Sequence, residues 1–188
     1  MLILLDRDGV LNRDRDDFVK NPGELVLLPG AAEAVRTLNE AGHQVAVVTN
    51  QSAVGRRIIS ADMLEEIHRA LHGMLARAGA RLDHIEICTD PPWAATDRRK
   101  PGPGMLRAAL ARFRTPPAQA VMIGDDLRDL EAAMAAEVPR ILVRTGKGAA
   151  LQAKGLPPHI LPVSVYDDLG EAAGALVGGA WIGGRAER

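Results

Sequence analysis

The sequence predicts a three-layer α/β domain, a central and mostly parallel sheet with helices on both faces. Two observations predict it. Short apolar runs at residues 1–5, 44–48, 85–88, 120–123 and 140–143, with a weaker one at 159–163, have little polar interruption, as expected of strands covered on both sides. Between most of them lie apolar residues at helical spacing, and strands that alternate with helices imply right-handed βαβ units.

The first run ends at Asp6-Arg7-Asp8. A helix over 31–41 follows Pro29-Gly30 and stops at Gly42, and the second run ends at Thr49-Asn50-Gln51-Ser52. Ser60 is placed to cap a long helix on which Leu64, Ile67, Leu71 and Leu75 recur at helical intervals. Residues 91–103, rich in proline and charge, read as a loop. Helices over 103–113 and 127–136 flank the fourth run, which leads into Gly124-Asp125-Asp126. A helix over 165–177 closes a single domain, 1–177, and the glycine-rich segment 178–188 reads as a flexible tail. Chemistry in such sheets gathers beyond the carboxyl ends of the strands. The three polar clusters, each next to a strand end, should therefore meet on one edge.

Composition narrows the function further. With 23 basic and 24 acidic residues among 188, the net charge of −1 gives no bulk field for nucleic acid or an anionic membrane. Aromatic residues are only 3%, which argues against base stacking. No apolar run has the length of a membrane span. The lone Cys88 cannot pair within the chain and fits the cytoplasm. A small molecule is the expected partner, and a monomer is the default.

Asp6-Arg7-Asp8-Gly9-Val10-Leu11-Asn12 is the most informative stretch. An aspartate can attack phosphorus and form an acyl phosphate that water then hydrolyses. A second carboxylate two residues on can protonate the departing alkoxide and later take a proton from water. A polar turn is the bland alternative, and the preceding strand, where an EF-hand has a helix, counts against a calcium loop. Thr49 and Asn50 offer uncharged donors for phosphate oxygens, though caps and turns use the same residues. Lys100, within Arg98-Arg99-Lys100-Pro101, supplies a point charge for a phosphoryl group in transfer. Arg98 reads as a solvated loop residue. Asp125 can complete an oxygen shell around Mg²⁺ with Asp6 and the carbonyl of Asp8. Asp126 and Asp129 read as supporting or surface acids at a helix start.

Taken in order, Asp6-x-Asp8, Thr49-Asn50, Lys100 and Gly124-Asp125-Asp126 resemble the four motifs of the haloacid dehalogenase (HAD) superfamily of phosphatases. The wording of the first three resembles the heptose bisphosphate and histidinol-phosphate phosphatase group. The resemblance implies a Rossmann-like fold and a Mg²⁺-dependent phosphoric monoester hydrolase, and no insertion here is large enough for a separate cap domain. It implies Asp6 as nucleophile, Asp8 as acid and base, and Asp6, Asp8 and Asp125 as metal ligands. Thr49 and Lys100 would steady the phosphoryl group, Arg99 would recognise the rest of the substrate, and Asn50, Gln51, Ser52, Asp14, Arg15, Asp16 and Asp17 would line the site.

The chain departs from that group in one place. Its usual zinc loop carries a cysteine, a nearby histidine and a later Cys-x-Cys, whereas here Cys88 is followed by Asp90, Thr96 and Arg98. One thiolate without a second soft ligand makes a poor structural site, so no zinc is expected. The loop should then be ordered by packing of Trp93 and Pro91-Pro92. The expected reaction is hydrolysis of a phosphate monoester of a heptose 1,7-bisphosphate. Histidinol phosphate is the alternative substrate, and a non-catalytic sugar-phosphate-binding module is the alternative of another class.

Overall fold

The structure is a computed structural model that describes residues 1–181. From residue 182 onward the expected tail lies outside the described residues. Six strands, β1 (Leu2–Leu5), β2 (Gln44–Asn50), β3 (His84–Cys88), β4 (Ala120–Gly124), β5 (Arg140–Val143) and β6 (Ser164–Tyr166), form one sheet in the order β3-β2-β1-β4-β5-β6. All five pairings are parallel. Strand order reverses between β1 and β4, so the switch point falls where two of the motif-bearing strands end.

The alternation of side chains along a strand builds the two outer layers. Ile3, Leu5, Val45, Val47, Val121 and Ile123 face one way, against α1 (Ala31–Glu40), α3 (Ala61–Arg77) and α7 (Leu169–Val177). Leu2, Leu4, Ala46, Val48, Ala120 and Met122 face the other, against α4 (Gly104–Phe113) and α5 (Leu127–Ala135). Each buried leucine of this kind contributes about 1.5–3 kcal/mol. Helix α3 shows how sequence sets one element. The Ser60 hydroxyl accepts the Met63 N–H at 3.1 Å, while Leu64, Ile67, Leu71 and Leu75 are buried along one stripe.

Several expectations need correction. Residues 159–163 are not a strand: Pro158–Ile160 forms a 3₁₀ turn, and the last strand is Ser164–Tyr166. Pro162 removes a ladder donor from the apolar run, Pro158 opens the turn before it, and Ile160 is buried beside Leu130 and Leu142. The last helix begins only at Leu169, where the Asp168 carboxylate accepts the Glu171 N–H. Two short helices, α2 (Ser52–Gly55) and α6 (Gly148–Lys154), were not expected. Thr49 and Asn50 lie within β2, paired in register with Ile87 and Cys88 of β3.

Candidate active site

Beyond the carboxyl ends of β1, β2 and β4 lies a polar cavity of about 270 Å³. Asp6, Asp8, Asn50, Ser52, Arg99, Lys100, Asp125 and Asp126 all line it, so the polar clusters of the sequence do meet on one edge.

Asp6 is held at its position by the sheet itself, because its backbone N–H continues the β1–β4 ladder to the Ile123 carbonyl at 3.0 Å. Its Oδ1 takes the Arg7 N–H at 2.7 Å and the Lys100 ammonium at 3.0 Å. Oδ2 has no protein donor among the described residues. Lys100, only 2% exposed, places its three donors on Asp6 Oδ1, Asp129 Oδ1 at 2.6 Å and the Val48 carbonyl at 2.8 Å. Asn50 anchors that lysine, accepting the Lys100 N–H at 3.1 Å and donating to its carbonyl at 3.0 Å.

Asp8 stands in a separate network. The Arg7 guanidinium, itself 1% exposed, straddles both its oxygens at 2.9 and 3.0 Å, and Asn12 and Gln51 donate at 2.9 and 2.8 Å. Two residues apart, the carboxyls of Asp6 and Asp8 are driven in opposite directions. Burial raises Asp6 to about 7, against the pull of Lys100 and with help from Asp129 and Asp8. Burial would also raise Asp8, but Arg7, Asn12 and Gln51 outweigh it and hold the carboxyl below its ordinary value.

Asp125 closes the floor. Its Oδ2 accepts the Lys147 N–H at 2.8 Å, and burial together with Asp6 and Asp129 raises its carboxyl to about 8. Gly9 and Gly146 wall it in at positive φ, and a Cβ on either would come within 2.2 or 2.0 Å of Oδ2. Asp125, Asp6 and Asp129 can bring oxygens within 4.8 Å of one another. Both Asp129 oxygens are already taken, one by Lys100 and the other by the Asp126 N–H in a capping box that starts α5. Asp6 Oδ2 and Asp125 Oδ1 are the ones left without protein donors among the described residues. Two raised carboxyls with free oxygens facing a polar cavity fit a divalent cation, which would offset their mutual repulsion.

The HAD-hydrolase-like family model matches residues 97–172. A Pseudomonas putida protein described as D-glycero-beta-D-manno-heptose-1,7-bisphosphate 7-phosphatase is 40% identical over 94% of this chain and 99% of its own. A Neisseria meningitidis protein of the same description is 41% identical over 89% of this chain and 90% of its own. The crystal structure of D,D-heptose 1,7-bisphosphate phosphatase from Bordetella bronchiseptica, complexed with magnesium and phosphate, superposes with a TM-score of 0.90. It shares 40% identity over 95% of this chain and 98% of that one. The chain belongs to the heptose bisphosphate phosphatase family of the HAD superfamily. It is a phosphoric monoester hydrolase.

Within this HAD phosphatase fold, the other expected site residues fall in different places. Asp14, Arg15 and Asp16 line the cavity, but Asp17 is not among the lining residues and is taken up by Arg15 and Lys20. Thr49 is fully buried and Gln51 nearly so, and the Gln51 amide donates to the Thr49 hydroxyl at 2.8 Å. Both sit beneath the cavity surface. Asp129 is buried, not a surface acid. Arg98 is paired with Glu86 at 2.7 Å. The loop after β3 is not ordered by burial of Trp93, which is 72% exposed. Instead the Asp90 carboxylate accepts the Thr96 N–H and hydroxyl at 2.9 and 2.5 Å, and Arg99 donates to the Asp90 carbonyl at 2.8 Å.

Sequence reasoning missed several residues that the HAD phosphatase site brings together. Arg7 was passed over between two motif acids, and His68 behind it was read as part of a helix. The turn Thr145-Gly146-Lys147 follows β5 as the other polar clusters follow their strands, and the same rule would have found it. Thr145 donates to the Gly9 carbonyl at 2.6 Å. The Lys147 ammonium pairs with Asp14 at 2.9 Å. Arg56 lies over the rings of Phe18 and Trp93 at 5.7 and 5.2 Å.

Proposed function

We propose that this chain removes the 7-phosphate of D-glycero-D-manno-heptose 1,7-bisphosphate through a covalent phosphate on Asp6, with Mg²⁺ as cofactor. Asp6, Asp125 and the Asp8 carbonyl would hold the cation, which when bound neutralises charge on the phosphoryl oxygens. One carboxylate oxygen of Asp6 attacks phosphorus, the bond to the sugar oxygen breaks, and Asp8 gives the sugar oxygen its proton. Water then attacks the aspartyl phosphate, Asp8 takes the proton back, and inorganic phosphate leaves as Asp6 is restored.

The Lys100 ammonium is paired with the Asp6 carboxylate and so lies next to the transferring group. In the resting protein Asp8 is held as a carboxylate, the form that accepts a proton from water. An arriving phosphate dianion raises its proton affinity and so favours the acid form needed first. Thr49, Asn50, Gln51 and Ser52 shape the phosphate end of the site in this reading, and Arg99 the far end. Of the rim cations, Arg15, Arg128 and Lys147 have carboxylate partners, whereas Arg56 and Arg99 have none among the described residues. Two guanidinium groups without anions support a substrate with a second phosphate. Cytoplasmic residence belongs to this reading and is supported by the unpaired Cys88. No helix among the described residues is long and apolar enough to cross a membrane.

The observation that carries the proposal is the pairing of Asp6, with one oxygen on Lys100 and one free, with an Asp8 held by its own donors. Phosphate release from heptose 1,7-bisphosphate, fructose 1,6-bisphosphate and histidinol phosphate, with Mg²⁺ or with EDTA, tests it. The heptose should lead by about a hundredfold in kcat/KM over histidinol phosphate, and EDTA should stop release. The reverse order of substrates would overturn the assignment.

A further inference from the structure

Arg7 reaches past Asp8 to a residue 61 positions away. Its Nη1 lies 3.2 Å from Nε2 of His68, a buried side chain on α3, while its Nη2 spans the two oxygens of Asp8 and its Nε lies 3.3 Å from Oδ1. A guanidinium has only donors, so the contact requires His68 to be a neutral ring with a lone pair on Nε2. Burial and the nearby Arg7 charge agree with that, pushing the His68 imidazole down to about 4. His68 is thus an acceptor that the reaction scheme leaves unused, sited behind the cation that grips the acid and base.

We propose that His68 is a positioning residue: by accepting the Arg7 Nη1 hydrogen bond it fixes the plane of the guanidinium fork, and so the direction in which Asp8 meets the leaving oxygen. The inference rests on Asp8 being the acid and base. An arginine side chain has several rotatable bonds, and contacts to Asp8 alone leave the fork free to move together with that carboxylate. A second anchor on a rigid helix removes that freedom. Without it a buried N–H loses its partner and the fork turns to find another.

The test separates positioning from stability by the leaving group. A sugar alkoxide needs a proton to depart, whereas 4-nitrophenolate does not, and kcat/KM reports only the steps up to phosphoryl transfer to Asp6. His68→Leu should lower kcat/KM on heptose 1,7-bisphosphate about tenfold and on 4-nitrophenyl phosphate by less than about threefold. His68→Gln, whose amide oxygen can take the place of Nε2, should recover most of the loss. His68→Asn, too short to reach, should not, and it replaces the leucine variant if that one does not fold. Equal losses on both substrates, or glutamine no better than asparagine, would overturn the proposal. Asp8→Asn serves as the control. If it too fails to discriminate between the substrates, the assignment of Asp8 falls and this inference with it; if it discriminates and His68→Leu does not, only the inference falls.

Discussion

At the floor of the cavity Lys100, Asp6, Asp125 and Asp129 are packed against one another and largely hidden from water, and their ionisations are displaced accordingly. At the rim the same residue types, Arg15 with Asp17 and Arg128 with Asp126, form pairs in which one or both side chains are open to solvent. Water screens the rim pairs, which contribute little to stability. The floor depends on its one cation: without Lys100 the desolvated carboxylates would be left to repel one another, whereas loss of one carboxylate relieves that repulsion. In the proposed mechanism identical chemistry would serve reaction in one region and substrate choice in the other, and depth is what divides them.

The largest effect should come from Asp6→Asn. Phosphate release should fall by at least about 10⁴-fold, while the metal-free protein melts no lower than wild type, since a neutral amide relieves the repulsion among Asp6, Asp125 and Asp129. A melting point well below wild type would show that Asp6 holds the floor together. Lys100→Met should lower kcat about 10²–10³-fold and, unlike the first variant, destabilise by about 3–5 kcal/mol in urea. Loss of activity without loss of stability would break the contrast between floor and rim.

The raised carboxyls give the floor a pH signature. Asp6 and Asp125 stand at about 7 and about 8 in the folded, metal-free protein, against 3.8 as the ordinary value. Between those values the folded chain binds more protons than the unfolded one, so stability falls as pH rises. That contribution is complete below about pH 4 and is lost as pH rises through about 7 and about 8. Melting in EDTA should be lower at pH 8 than at pH 5.5, and Mg²⁺ should raise it more at pH 8, where fewer protons compete with it. A larger Mg²⁺ shift at the acid end would contradict the assignment. The smallest effect belongs to the rim: Arg56→Ala should raise KM for the bisphosphate about tenfold, leave KM for 4-nitrophenyl phosphate nearly unchanged, and alter stability by less than about 1 kcal/mol.

Much of this was legible in the sequence because a doubly covered parallel strand has to be apolar throughout and then turn polar where the chain leaves the sheet. Asp6, Lys100 and Asp125 could be placed from that rule and their order. Arg7 could not, because a charged residue between two acids reads as a surface filler until the fold buries it. His68 follows Ile67 on a helix whose apolar stripe masks a polar contact, and Asp129 satisfies the first-turn preference of any helix while also gripping Lys100. The 159–163 run misled because apolar content was read without the prolines at 158 and 162, and α6, short and without a side-chain cap, left no signal.

Trp93 is exposed, with the guanidinium of the cavity-lining Arg56 over its ring. The chain has only one other tryptophan, Trp181, which packs against the far helical layer. With Trp181→Phe, indole emission becomes a single-site optical reporter: an anion that draws Arg56 off the ring alters the quenching, so occupancy of the outer half of the pocket can be followed by stopped-flow before any bond is cut.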